Sequence, residues 1–404
     1  MSSSGQPPPE PFRVSQLLYD TRYRSYTIQI FALAVLMLAF AWAIDNAVRN
    51  LEALGKDIDF SFIFETSAYD INQHLLDYDS TSTHGRAAVI GIINTILVAV
   101  MGCITATVIG VLAGVLRLSR NWVVARLMTV YIETVRNIPV LIWILFTVAI
   151  VNEVLPGVRS FRGEDAMTGL LFDSVFITNR GFYIPAPVFE AGSAAVGVVL
   201  LLSMAAAWYF GRWARARQAA TGQILPVFWG RLAILTVPVL LAFFAAGSPV
   251  SLEIPALKGF NFKGGIYMRD SLIGLWLALS VYTGAFIAEI VRAGILAISK
   301  GQTEAAYALG IRPGRTMSLV VLPQALRVIV PPLISQFLNL TKNSSLAIAV
   351  GYMDATGTLG GITLNQTGRE MECILLLMAF YLAASLTISG AMNAYNRSVR
   401  LKER

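Results

Sequence analysis

The chain has 404 residues, 56% of them apolar and 14% charged, with a formal net charge of +7. Soluble domains carry roughly a quarter charged residues, so the composition excludes an ordinary water-surrounded domain and makes the bilayer the expected solvent. The apolar runs are long and unbroken where barrel strands would be alternating segments of about ten residues, which excludes a porin and leaves an all-α integral membrane protein.

Eight runs approach the length a helix needs to cross the hydrocarbon core, about 20 residues. The tail 1–27 opens with Met1 to Glu10, a Ser- and Pro-rich stretch expected to be disordered. The first run, 28–47, closes a segment 28–48. A cleaved signal peptide ending near Ala41-Trp42-Ala43 is disfavoured by the long polar stretch before it. Residues 49–87 follow as an external segment, either a lid or a connector. Runs 88–116 and 130–152 make the first part of a core, 88–152.

Residues 153–270 hold a second polar segment, again a lid or a connector, and a helical pair with runs 193–210 and 231–248. Neither run of this pair, 193–248 overall, holds a charge within membrane depth, which reads as a lipid-facing annex without chemistry of its own. Runs 271–297, 324–350 and 373–393 make the second part of the core, 271–393, before the tail 394–404.

Charge assigns the sides. The loops from Arg117 to Arg126 and from Arg212 to Arg231 carry three and four basic residues and no acid, and the tail from Arg397 is also net basic. In 49–87, seven acids (Glu52, Asp57, Asp59, Glu65, Asp70, Asp77, Asp79) outnumber Arg49, Lys56 and Arg86. This positive-inside asymmetry with an even number of spans places both termini in the cytoplasm. The charge of +7 is therefore topology, and no nucleic-acid partner is expected.

Between the sixth and seventh runs, in the loop 298–323, lies Lys300-Gly301-Gln302-Thr303-Glu304-Ala305-Ala306-Tyr307-Ala308-Leu309-Gly310, followed by Val320-Val321-Leu322-Pro323. The alanines favour a short helix, Ser299 or Thr303 can cap its start, and Gly310 suits the left-handed residue past its end. Pro313-Gly314 then turns the chain. With few bulky side chains on one side, such a helix lets another protein approach its backbone. A lipid-lying helix would instead set several Trp, Phe or Leu against basic residues.

Here the chain resembles the permease subunits of bacterial ABC importers, whose shared cytoplasmic motif is met by Glu304, Ala305, Ala306, Gly310, Val320, Leu322 and Pro323, with Val320 standing where Ile is usual. The resemblance narrows to the polar amino-acid uptake group on Gly91, Asn94 and Thr95, on Tyr131-Ile132-Glu133 with Arg136-Asn137-Ile138-Pro139, on Ala288-Glu289-Ile290-Val291-Arg292-Ala293-Gly294, and on Lys342-Asn343-Ser344-Ser345-Leu346. In layout it is most similar to a general L-amino acid permease of alpha-proteobacteria, with a type I importer core, an extra amino-terminal helix and an inserted pair. The resemblance implies that 304–323 couples the permease to a separate ATPase dimer, which holds ATP and magnesium. It also implies a second permease, expected to be a different chain, and a periplasmic binding protein that delivers an amino acid. The expected location is the bacterial inner membrane.

The pathway candidates are Asn94, Thr95, Glu133, Arg136, Glu289, Arg292, Lys342, Asn343, Ser344 and Ser345. Glu133 with Arg136 and Glu289 with Arg292 stand at i and i+3, close enough to pair on one helical face, in a structural or a gating role. Lys342 has no acid on its own helix and has Asn339, Asn343, Ser344 and Ser345 around it. It either attracts a substrate carboxylate, snorkels, or pairs with another helix. Pro139, Pro331 and Pro332 either free carbonyls for binding or only fit kinks to neighbours. Cys103 and Cys373 are expected to be inert, and His74 and His84 to be solvated loop histidines. No phosphate loop, metal set or catalytic triad is recognisable, so no enzymatic activity or cofactor is expected on this chain. The competing class is a secondary transporter driven by an ion gradient, against which the 304–323 motif argues.

Overall fold

The structure is a computed structural model that describes residues 20–53, 55, 58–163 and 166–399. The expectation of disorder at Met1 to Glu10 and the end of the basic carboxyl tail lie outside these residues. Helix α1, Thr21–Ala53, is continuous for 33 residues, roughly 50 Å at 1.5 Å per residue. Its side chains from Ile28 to Ile44 are exposed, as a lipid-facing helix requires. The described residues divide into two units, with α1 in the first and the residues from Phe62 onward in the second.

The second unit contains α2 (His84–Arg117), α3 (Trp122–Arg136), α4 (Val140–Val154), α5 (Ser193–Thr221), α6 (Val227–Ala245), α7 (Asp270–Leu296), α8 (Lys300–Ala308), α9 (Leu322–Asn343) and α10 (Glu370–Val399). Eight helical stretches among the described residues are long and apolar enough to cross a membrane. Of these, α7 is the central post, with 72% of its most apolar window buried against 33% for α2 and less for the others. In lipid, helices associate by close packing rather than by leaving water, and α2 meets α7 through small residues. A methyl group at Gly114 would stand 2.5 Å from the Ala288 carbonyl oxygen, and one at Gly110 equally close to the Ile287 side chain. Indole and phenol groups at this core find partners: Trp276 Nε1 donates to Thr105 Oγ1 (2.9 Å) and Tyr131 Oη to the Val281 carbonyl (2.7 Å).

Two of the runs have different limits from those expected. The run 130–152 is not one helix, because α3 ends at Arg136 and α4 begins only at Val140. Pro139 lacks an N–H and keeps the residue before it out of the helical region, so the chain breaks there. The seventh run ends its α-helix at Asn343 and continues as a tighter 3-10 turn, Ser344–Val350, to Gly351, whose φ is +70. Pro331 and Pro332 both lie inside α9.

The polar segments carry secondary structure of their own. Residues 155–192 and 249–269 form a small β module, which adds strands to a fold expected to be helical throughout. Strands β1 (Phe176–Thr178), β2 (Gly181–Ile184), β3 (Ala186–Phe189), β4 (Val250–Glu253), β5 (Ala256–Lys258), β6 (Asn261–Lys263) and β7 (Ile266–Arg269) make a three-stranded antiparallel sheet, β1-β2-β7, and the ribbons β3-β4 and β5-β6. Their aromatic residues supply a core: Phe176 stacks on Phe262 (4.3 Å between centroids) and Tyr183 on Tyr267 (4.7 Å). The pair α5 and α6 is inserted at the end of the β3-β4 ribbon, where Phe189 faces Val250.

Within the pair, Ser203, Ala207, Gly211 and Ala214 form the buried stripe of α5. A charge does enter it: Arg231 lies against Gly211 and donates from Nε to the Ala207 carbonyl (3.2 Å). Helix α6 starts at Val227, which puts Arg231, the last basic residue of the loop from Arg212, in its second turn, and Gly211 leaves room for the guanidinium.

Candidate functional site

Three arrangements concern function: the loop 298–323, an ion cluster at its root, and a polar face on α9 with the packing beneath it. In the first, Ser299 occupies the N-cap position of α8 without a side-chain cap bond. The helix ends in paired bonds, from the Ile311 N–H to the Ala306 carbonyl (3.1 Å) and from the Gly310 N–H to Tyr307 (2.9 Å). This geometry needs a left-handed residue after the cap, and Gly310 supplies it with φ +74. Ala306 anchors α8 at 4% exposure, while Glu304, Ala305 and Ala308 are exposed and Leu309 is 80% exposed. Pro313 and Gly314 do not make the turn expected of them. They start a one-turn helix, Pro313–Thr316, because Pro fits the first helical position, where an N–H has no partner anyway. A wider turn, Met317–Val321, then leads to Leu322 and Pro323 at the start of α9.

At the root of the loop, Glu289 is shared by two guanidiniums. Arg292 grips it with Nη2 at 2.6 Å and Nε at 3.1 and 3.2 Å, so the expected pair on α7 forms, and Arg117 Nη1 reaches it at 2.6 Å. The expected pair of Glu133 with Arg136 does not form. Glu133 is bound by Arg117 Nη2 (3.0 Å), and Arg136 lies over the Phe286 ring, 5.1 Å from its centroid. The break at Pro139 ends α3 at Arg136, and cation–π contact with α7 captures its guanidinium.

Asn94 and Thr95 are fully buried. Asn94 Nδ2 donates to the carbonyls of Gln73 (2.7 Å) and Met353 (2.8 Å), and Thr95 Oγ1 accepts from the Ala355 N–H (3.0 Å). Both fasten α2 to the connection between α9 and α10. His84 is not a solvated loop residue: it starts α2, is 4% exposed, and its Nδ1 is 3.2 Å from Thr363 Oγ1. Tyr69 Oη shares that threonine at 3.1 Å, and burial pushes the Tyr69 phenol up to about 12. The cap 62–83 is thereby bound to the core, because Tyr69 and Ile71 pack on Ala87 and Ile90. Among the described residues no three His, Cys, Asp or Glu side chains gather where they could hold a metal ion.

Of the alternatives open for Lys342, pairing with another helix is not seen: its side chain is exposed on this chain, and no carboxylate among the described residues pairs with it. Ser335, Asn339 and Lys342 are all exposed at spacings of four and three, so they line one face of α9. Ser344 and Ser345 point their hydroxyls back at the carbonyls of Thr341 and Lys342, both at 2.7 Å, and close the end of this helix. Asn343 is half-buried beside them.

Sequence reasoning missed Arg117 as more than a loop charge, since its partner Glu289 is 172 residues away. It also missed Asp354. This carboxylate has no exposure and accepts from the Gly357 N–H (2.8 Å) and the Tyr381 hydroxyl (3.4 Å). An isolated acid between two apolar runs was the available signal.

The family described as "Binding-protein-dependent transport system inner membrane component" matches residues 106–401. A glutamate/glutamine/aspartate/asparagine transport system permease protein of Rhodobacter capsulatus is 53% identical over the whole length of both chains. A general L-amino acid transport system permease protein of Rhizobium johnstonii is 44% identical, covering 96% of this chain and 95% of its own. A solved structure, the crystal structure of an amino acid ABC transporter with histidines, matches 78% of this chain and 95% of its own at 18% identity and a TM-score of 0.45. On the extent of the family match and the full-length identity to its relatives, this chain belongs to the inner membrane components of binding-protein-dependent transport systems.

Proposed function

We propose that this chain is the transmembrane permease subunit of an ATP-driven importer for polar or general L-amino acids. The observation that carries the reading is α8, a short helix with exposed Glu304, Ala305 and Ala308, closed by left-handed Gly310 and followed by Leu322 and Pro323. A helix so thinly covered suits the surface groove of a separate ATPase dimer, which holds ATP and magnesium. The chain works beside a second permease, in an inner membrane with both termini in the cytoplasm, and receives its substrate from a periplasmic binding protein. The two curated relatives are named for amino-acid transport, one for acidic residues and their amides, the other for general L-amino acids. An ion-gradient mechanism has no use for such an exposed helix.

The face formed by Ser335, Asn339 and Lys342 belongs to the transport pathway. Exposed polar groups at membrane depth avoid lipid by facing water or protein, and an unpaired ammonium attracts a substrate carboxylate.

The test is capture of the ATPase by the properly inserted chain and by its Gly310→Trp and Glu304→Lys variants. Loss of the ATPase from both variants supports the reading, and undiminished capture refutes it. In the same preparations, Lys342→Met is expected to abolish amino-acid uptake while keeping the ATPase bound and active. Uptake at the native rate would remove Lys342 from the pathway.

A further inference from the structure

The charged side chains at the root of the coupling loop are not equivalent. Glu289 is already neutralised by the forked grip of Arg292 on its own helix, so a second guanidinium is not needed to balance its charge. Arg117 nevertheless reaches it, and with its other nitrogen holds Glu133. It is the last residue of α2, and through it three helices, α2, α3 and α7, meet at one side chain. The two legs differ in setting. Glu289 is 25% exposed and Glu133 is 52% exposed, while Arg117 itself is 16% exposed.

The surrounding packing gives this difference a direction. Gly110 and Gly114 lock α2 onto α7, so those two helices move as one body. Helix α3 meets that body through Ile132, buried between Ala113 and Ala288, through the Tyr131 hydroxyl on the Val281 carbonyl and through Arg136 over the Phe286 ring. The last two tie α3 to α7 alone, whereas the Arg117 fork ties it by charge to the end of α2 as well, with a fixed planar geometry. Helix α7 ends at Leu296, two turns beyond Glu289, and runs through Ser299 into α8.

We propose that Arg117 is a positioning residue for transport. It fastens α3 to the α2–α7 body in the conformation described here, and it releases the exposed Glu133 leg when the ATPase displaces α8. Movement of the coupling helix is thereby delivered to α3 and, across Pro139, to α4. This rests on the coupling reading of α8.

The experiment uses the complete transporter in proteoliposomes, with ATP hydrolysis and amino-acid uptake recorded on the same preparations. Arg117→Met is expected to assemble normally and keep its basal hydrolysis, yet to lose about ten-fold in uptake per ATP, within the usual range of coupling between sites. Arg117→Lys is expected to fall between it and the native chain, because an ammonium lacks the fork that spans two carboxylates. Glu133→Gln, a change at a half-exposed site that does not threaten folding, is expected to lower uptake per ATP in the same direction. Unchanged uptake per ATP in Arg117→Met and Glu133→Gln, or a loss of uptake and hydrolysis strictly in proportion to inserted chain, overturns the proposal and leaves the cluster a structural brace. A Gly310→Trp variant run in parallel separates the two readings. If it still holds the ATPase, the coupling reading falls and this proposal with it; if it loses the ATPase while Arg117→Met transports normally, only the role of Arg117 falls.

Discussion

Single residues in this chain act by where burial puts them. Asp354 sits in the connection between α9 and α10 with no exposed surface, and burial holds its carboxyl up to about 6 despite the Gly357 N–H and Tyr381 hydroxyl that favour the ionised form. The folded state thus prefers the neutral acid. Its contribution to stability is fully present below about pH 4 and is lost as pH rises through about 6. The thermal midpoint of the purified chain is expected to fall between pH 4 and pH 7, and to fall less in Asp354→Asn. That variant keeps an oxygen for the Gly357 N–H and removes a buried charge, so at pH 7 it should be the more stable form by on the order of 3 kcal/mol. A variant with the same pH slope as the native chain would show that Asp354 ionises freely in the fold.

At the scale of elements, the α2–α7 contact is set by the absence of side chains. Gly110 and Gly114 on α2 face Ile287 and Ala288 on α7, and Gly284 on α7 faces Ile109. Gly114→Val would drive a branched side chain into the Ala288 carbonyl and part the helices. Overpacking of this kind costs about 1–3 kcal/mol, read as a lowered thermal midpoint. Because the Arg117 ion pairs lie at the end of the same contact, its uptake per ATP should fall as well. A variant with a native midpoint would mean that α2 and α7 slide past one another with little cost. The ends of α3 and α8 follow the same economy of local chemistry, Pro139 breaking one and Gly310 closing the other.

Across the whole molecule, the chain separates a transport core from an insertion. Strands β3 and β4 pair in register up to Phe189 and Val250, so the helices between them depart from and return to one point. Replacing residues 190–249 by a two-residue Asn-Gly turn should leave the ribbon, the β module and the core intact, since that dipeptide suits a two-residue hairpin. Removing two spans also preserves the side on which each remaining loop lies. We expect such a chain to insert and to take up amino acids within about two-fold of the native rate, as substitutions remote from a site usually leave it. Uptake abolished in a chain that inserts and binds the ATPase would assign the pair a part in transport.

Much of this was legible in the sequence. The number of spans follows from run length, and α8 with its Gly310 stop from local propensity, because each depends on a few neighbouring residues and on the solvent. Glu289 with Arg292 was legible for the same reason, being one helical turn apart. The tertiary structure alone decided that Arg117 takes Glu133 away from Arg136, that Asn94 and Thr95 are buried fasteners, that His84 is enclosed, and that aromatic residues from 155–192 and 249–269 share one small core. These outcomes depend on which distant segments meet. A periodic pattern marks the buried face of a helix, but it does not name the helix that covers it.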